Sequence, residues 1–90
     1  MTVIGINEEN HGWVGIAKDK ASAIDFLIAE GWLDEDSKFW PIGEENFQLK
    51  KVKDIYGENW VEELKKLNDE ELGEFFDGAF YFQKMDVFGA

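Results

Sequence analysis

Residues 2–18 carry the pattern that most restricts this chain: two short apolar runs flank a polar segment that ends in glycine. Val3-Ile4-Gly5-Ile6 returns as Trp13-Val14-Gly15-Ile16. Alternate side chains of a strand point to opposite faces, so the spacing predicts a hairpin with strands at 2–7 and 12–18. Asn10-His11-Gly12 supplies the turn, with glycine last, where a left-handed backbone is often needed. With an odd loop length, Ile4, Ile6, Val14 and Ile16 share one face, the expected core face. Val3, Gly5, Asn7, Trp13, Gly15 and Ala17 share the other. Glycine weakens a strand, so two in echoing places point to close packing or to a shallow docking groove. The packing partner would be Trp13 or a helix backbone; the groove would be walled by Trp13.

A lone hairpin is marginal in water, so the rest of the chain must cover its apolar face. A helix is expected over 19–31. Asp19 is its N-cap, Ala23, Phe26, Leu27 and Glu30 form a stripe widened by Ile24 and Ile28, and Gly31 ends it. Trp32-Leu33 then returns to the core. Residues 34–46 are irregular, because proline and the residue before it resist helix. Phe47 to Tyr56 reads as a short helix through Leu49, Val52, Ile55 and Tyr56, broken by Gly57. Asn59 with Glu62, and Asn68 with Glu71, each form a capping-box pattern before a further helix. The last of these ends at Asp77-Gly78. Residues 79–88 read as a strand whose first four apolar residues are buried on both faces. The expected fold is α+β in the order β-β-α-(loop)-α-α-α-β. A small antiparallel or mixed three-stranded sheet, hairpin plus C-terminal strand, carries three or four helices. Ninety residues make this one compact domain, 1–90.

Composition removes several chemistries. Without cysteine there is no disulfide, thiolate zinc site or cysteine nucleophile. No basic-then-apolar leader opens the chain and no apolar run is long enough to span a bilayer, so the expectation is a cytoplasmic protein without a membrane partner. Net charge is −11, with twenty acids, nine lysines and no arginine. Phosphate backbones would be repelled, which argues against direct nucleic-acid binding. The expected partner is a basic protein, unless the acidity serves only solubility.

Candidate sites follow from the same residues. His11 is the only histidine and sits in the turn, with Glu8 and Glu9 nearby but no burial to tune it. A calcium loop from Asp34 would use Asp36 and Glu45, yet Lys38 takes a ligand position and Phe39 the required glycine. Glu44-Glu45 and Glu62-Glu63 are adjacent pairs that do not converge across a substrate. No glycine-rich phosphate cradle precedes a helix. No catalytic residue, metal or cofactor is expected. Trp32 and Trp60 read as core, leaving Trp13 and Trp40 as candidate contact residues.

Charge placement says more than total charge. Asp69, Glu70 and Glu71 suit the first turn of a helix, where the dipole favours acids. Glu74 and Asp77 extend a stripe from Glu70 at i+4 and i+7, which the dipole does not explain. Lys50, Lys51, Lys53, Lys65 and Lys66 concentrate in 47–67. Tyr56-Gly57-Glu58-Asn59, opening a helix, resembles the segment before the inhibitory helix of barstar, the acidic ribonuclease inhibitor. The two inhibitory aspartates of that family fall on Val61 and Lys65, so four residues of resemblance carry no inhibitory chemistry and assign no family.

The leading expectation is a non-enzymatic acidic binding protein, an inhibitor or regulator that docks on a basic, nucleic-acid-binding surface of another protein. Small immunity proteins and phage-encoded inhibitors act this way as a class. Its candidate contacts are Glu70, Glu74, Asp77, Asp34, Glu35, Asp36, Trp13 and Trp40. The alternative is an assembly protein that forms a homodimer or larger complex through an apolar surface around Trp13 and Trp40.

Overall fold

The computed structural model describes residues 2–43 and 48–86. Strands β1 (Thr2–Glu8) and β2 (Gly12–Ala17) form the expected hairpin around residues 9–11. Glu8 closes it: its carboxylate accepts from the amides of Asn10 and His11 and lies 2.7 Å from His11 Nδ1. Gly12 has φ +73°, the left-handed value that the turn needs and most residues resist. His11 is thus a turn residue held by Glu8.

The faces of β2 differ from the expected alternation. Asn7 pairs with Trp13 but Ile6 pairs with Gly15, so Val14 is an extra residue and the strand bulges there. One inserted residue flips every later side chain to the opposite face. Gly15 and Ala17 therefore join Ile4 and Ile6 on the helix-covered side, while Ile16 turns outward and is 55% exposed. Gly5 and Gly15 consequently lie on opposite faces, each beneath an aromatic ring. A Cβ on Gly5 would sit 3.1 Å from the Trp13 ring; one on Gly15 would sit 2.4 Å from Phe26. Close packing explains both glycines.

Strand β5, here Phe80–Asp86, is the second neighbour of β1, giving a three-stranded antiparallel sheet in the order β2-β1-β5. The fold is the α+β arrangement read from the sequence. One expectation about β5 does not hold: Tyr81 is 62% exposed, because β5 is an edge strand with helices on one face only. Val87 and Phe88 lie outside the described residues.

Helix α1 (Lys20–Ala29) starts where Asp19 accepts from the Ser22 amide at 2.8 Å, and Gly31, φ +81°, follows its end. That hydrogen bond holds the Asp19 carboxyl below the usual carboxylate range, with Lys18 and Lys65 adding to it. A lowered folded-state value means stability present above the unfolded carboxylate value, about 4, and lost as pH falls through the folded one. The stability gap between the native protein and Asp19→Ala, read by urea unfolding, is expected in full at about pH 6 and to shrink as pH falls below about 4.

The helix expected over 47–56 forms only in its second half, and Lys50–Lys51 joins a ribbon instead. Strands β3 (Lys38–Phe39) and β4 (Lys50–Lys51) pair antiparallel, and only Val52–Tyr56 is helical, as α2. The Val52 amide donates to Ser37 at 2.8 Å, so the ribbon takes a hydrogen bond that a longer helix would have kept. Leu49 lies just before the ribbon and is 56% exposed rather than part of a helical stripe. Phe47 lies outside the described residues.

Helices α3 (Trp60–Lys66) and α4 (Asp69–Phe76) follow. Asn68 and Glu71 form the reciprocal capping box at α4. Asn59 does not cap α3: its φ of −93° and ψ of 28° depart from the extended geometry that aims a cap oxygen at the first turn. Phe75, 1% exposed, packs among Phe39, Tyr56 and Phe76 with ring centroids 4.7–5.9 Å away, anchoring α4 to the ribbon and α2. Trp60 is buried and Trp32 packs half-buried against the same core. No helix among the described residues is long and apolar enough to cross a membrane.

Candidate functional site: an acidic helix face beside an aromatic cleft

α4 buries Leu72, Phe75 and Phe76, and that choice decides where its acids point. Asp69 at its start bonds Lys84 at 3.1 Å and Lys20 at 3.5 Å. Lys84 is the main cause of its carboxyl lying below the usual range. Glu71 is spent in the capping box. Glu70, Glu74 and Asp77 are exposed and make no ion pair among the described residues. At about 1.5 Å rise per residue this stripe runs roughly 10 Å along the helix.

The stripe ends at a cleft of about 220 Å³ lined by Asp77, Glu9, Lys38, Trp40 and Leu49 together with Phe39 and Phe75. Asp77 adopts the left-handed conformation, φ 46°, at the end of α4. The Glu9 amide bonds the Ala79 carbonyl at 3.0 Å, holding the hairpin's entry beside the start of β5. Trp40 is 46% exposed. Two carboxylates outnumber the one ammonium, Lys38, and with a half-open indole and the aliphatic Leu49 they suit a cationic side chain with an apolar stem.

The remaining expected contact residues are placed differently. Asp34 accepts from the amide of Asp36 and stabilises its own turn. Glu35 pairs with Lys53 at 3.4 Å and Asp36 with Lys51 at 3.2 Å, a contact that raises the Lys51 ammonium above its ordinary value. Glu35 and Asp36 thus fasten the 34–37 turn to α2 and β4. Trp13, 49% exposed, lies on the outer sheet face with Ile16 and Tyr81 and does not border the Trp40 cleft. Leu49 and Glu9 were not legible as contact residues, since Leu49 reads as part of a helical stripe and Glu9 looks like any turn acid. Among the described residues no three His, Cys, Asp or Glu side chains gather to hold a metal ion. Glu44 and Glu45 lie outside the described residues.

Placing acids at the end of α4 has an energetic consequence. Its last turn holds no basic residue, and the dipole there disfavours negative charge. Glu74 also sits one turn from Glu70, a like-charge pair that costs about 0.2–0.5 kcal/mol. Glu74→Gln is therefore expected to stabilise the fold by about 0.3–1 kcal/mol, measured as a raised urea midpoint at unchanged slope.

Compared with protein-family models, curated proteins and solved structures, the chain matches none.

Proposed function

We propose that this protein is a non-enzymatic binding module that docks on a basic surface of another protein through Glu70, Glu74 and Asp77 and the Trp40 cleft. The observation that supports this reading is the cost of the stripe: Glu74 and Asp77 are kept unpaired at the end of α4, where the dipole disfavours acids, and Glu74 sits one turn from the like charge of Glu70. A lysine or arginine of the partner enters the cleft, its stem against Leu49 and Trp40 and its charge against Asp77 and Glu9. Carboxylates set along a helix face occupy the places that phosphates take on a nucleic-acid-binding surface, so the module blocks such a groove. Association is fast and falls with ionic strength. Immobilised protein is expected to retain a partner from lysate at about 50 mM salt and release it by about 500 mM, where screening shortens to a few ångströms. Capture indifferent to salt, or none at any salt, contradicts the reading.

A second reading rests on the outer sheet face. Val3, Gly5, Asn7, Trp13, Ile16, Tyr81, Gln83 and Met85 lie there without a single charge, and Trp13, Ile16 and Tyr81 are exposed. Self-association through this face gives a homodimer insensitive to salt. Light scattering separates the readings: a salt-independent dimer supports the second and a monomer the first.

A further inference from the structure

The opposite flank of α4 borders a second hollow with different chemistry. A cleft of about 630 Å³ lies between α4, the start of α1 and the helix-covered faces of β1 and β5. Small-molecule pockets range over about 300–1,000 Å³. Ile4, Leu72, Phe76, Phe80 and Phe82 make its floor apolar. Lys18, Lys20 and Lys84 stand around it with Asp19 and Asp69. Three of nine lysines thus gather at one hollow of a chain carrying −11. Asp19 is committed to capping α1, and Asp69 is shared between Lys20 and Lys84. Lys18 makes no ion pair among the described residues.

Gly73 supplies the independent observation. Glycine inside a helix is less stable than alanine, so its presence in α4 needs a reason. Its φ is outside the left-handed region, and a Cβ there would meet nothing within 4 Å. Neither backbone nor crowding demands glycine. Gly73 does border the cleft, and its missing side chain leaves space there.

We propose that this cleft binds a single-chain anionic amphiphile of the fatty-acid type. The alkyl chain lies on the Phe76–Phe80–Phe82 floor, the carboxylate meets Lys18 and its neighbours, and Gly73 keeps the entrance open. The free amphiphile is favoured over a bilayer, because a chain of this charge is repelled by anionic membrane surfaces.

The test titrates the whole protein with sodium dodecanoate below its micelle concentration, by calorimetry and by amide chemical shifts. Saturable one-to-one binding that shifts Gly73 and Phe82 is expected, with dodecyl maltoside, which shares the chain but lacks the charge, binding more weakly. Gly73→Leu should weaken dodecanoate at least about tenfold, and Lys18→Glu severalfold, with both variants still folded. Gly73→Ala should melt above the native protein. Lack of saturable binding overturns the proposal, as does equal affinity for the two amphiphiles or full affinity in Gly73→Leu. Should Gly73→Leu fail to fold, Lys18→Glu and the head-group comparison still decide. Binding to phosphatidylglycerol vesicles without dodecanoate binding overturns it in favour of a membrane surface.

Discussion

Replacing Gly15 by valine is expected to destabilise the protein by about 2–3 kcal/mol, measured by urea unfolding. A Cβ at position 15 would lie 2.4 Å from one Phe26 ring atom and 2.8–2.9 Å from two others, distances that real side chains do not tolerate. The ring must leave, and Phe26 on α1 is part of the packing that joins helix to hairpin. Phe26 is only half-buried, so the ring has an outward escape and the loss stays below that of a sealed core. Gly15→Val with Phe26→Ala should therefore cost at least about 1 kcal/mol less than the two changes summed. Gly5→Val is the contrasting case. Its Cβ meets Trp13 at 3.1 Å and Met85 sulfur at 3.3 Å on the open sheet face, where Trp13 has room to move. About 1 kcal/mol or less is expected there. A neutral Gly15→Val, or equal costs at both glycines, would contradict the bulged register.

Phe75→Ala should cost more, about 3–5 kcal/mol, through lost transfer energy and the cavity left behind. Phe75 is nearly solvent-free and touches the rings of Phe39, Tyr56 and Phe76. A domain of this length holds roughly 5–13 kcal/mol in total, so the variant keeps only a thin margin. Phe75 also backs the Trp40 cleft, and its loss is expected to loosen partner capture together with stability. Phe75→Leu refills much of the space and should recover at least half of both effects. A drop below about 1 kcal/mol for Phe75→Ala would show that α4 is not anchored through this ring.

What was legible in the sequence depended on whether the determining contacts were local. The Asn68–Glu71 capping box needs only four residues in a row, and it forms as read. The same letters at Asn59 fail because the turn after Gly57 fixes a different backbone. The hairpin was legible from its period, but the bulge at Val14 was not, since an extra residue leaves no mark in an apolar run. The ribbon was invisible for a related reason: Lys38–Phe39 and Lys50–Lys51 are strands only because they meet. Within the candidate site, Glu70, Glu74 and Asp77 follow from helical spacing alone. The ion pairs of Asp36 and Glu35 were not legible, because their partners, Lys51 and Lys53, lie more than a dozen residues away. Trp13 and Trp40 both proved half-exposed, on separate surfaces that only the tertiary fold distinguishes.

The location of docking can be tested against bulk charge with two matched variants in one capture experiment. Glu70→Gln/Glu74→Gln removes two charges from the α4 face, and Glu30→Gln/Glu58→Gln removes two exposed charges elsewhere. Both should stay folded, and association with a partner identified from the low-salt eluate is read by its dissociation constant across a salt series. The α4 variant is expected to lose at least about tenfold in affinity and to flatten the salt dependence, while the control stays within about twofold. Equal losses in the two variants, or none in either, would contradict docking through α4.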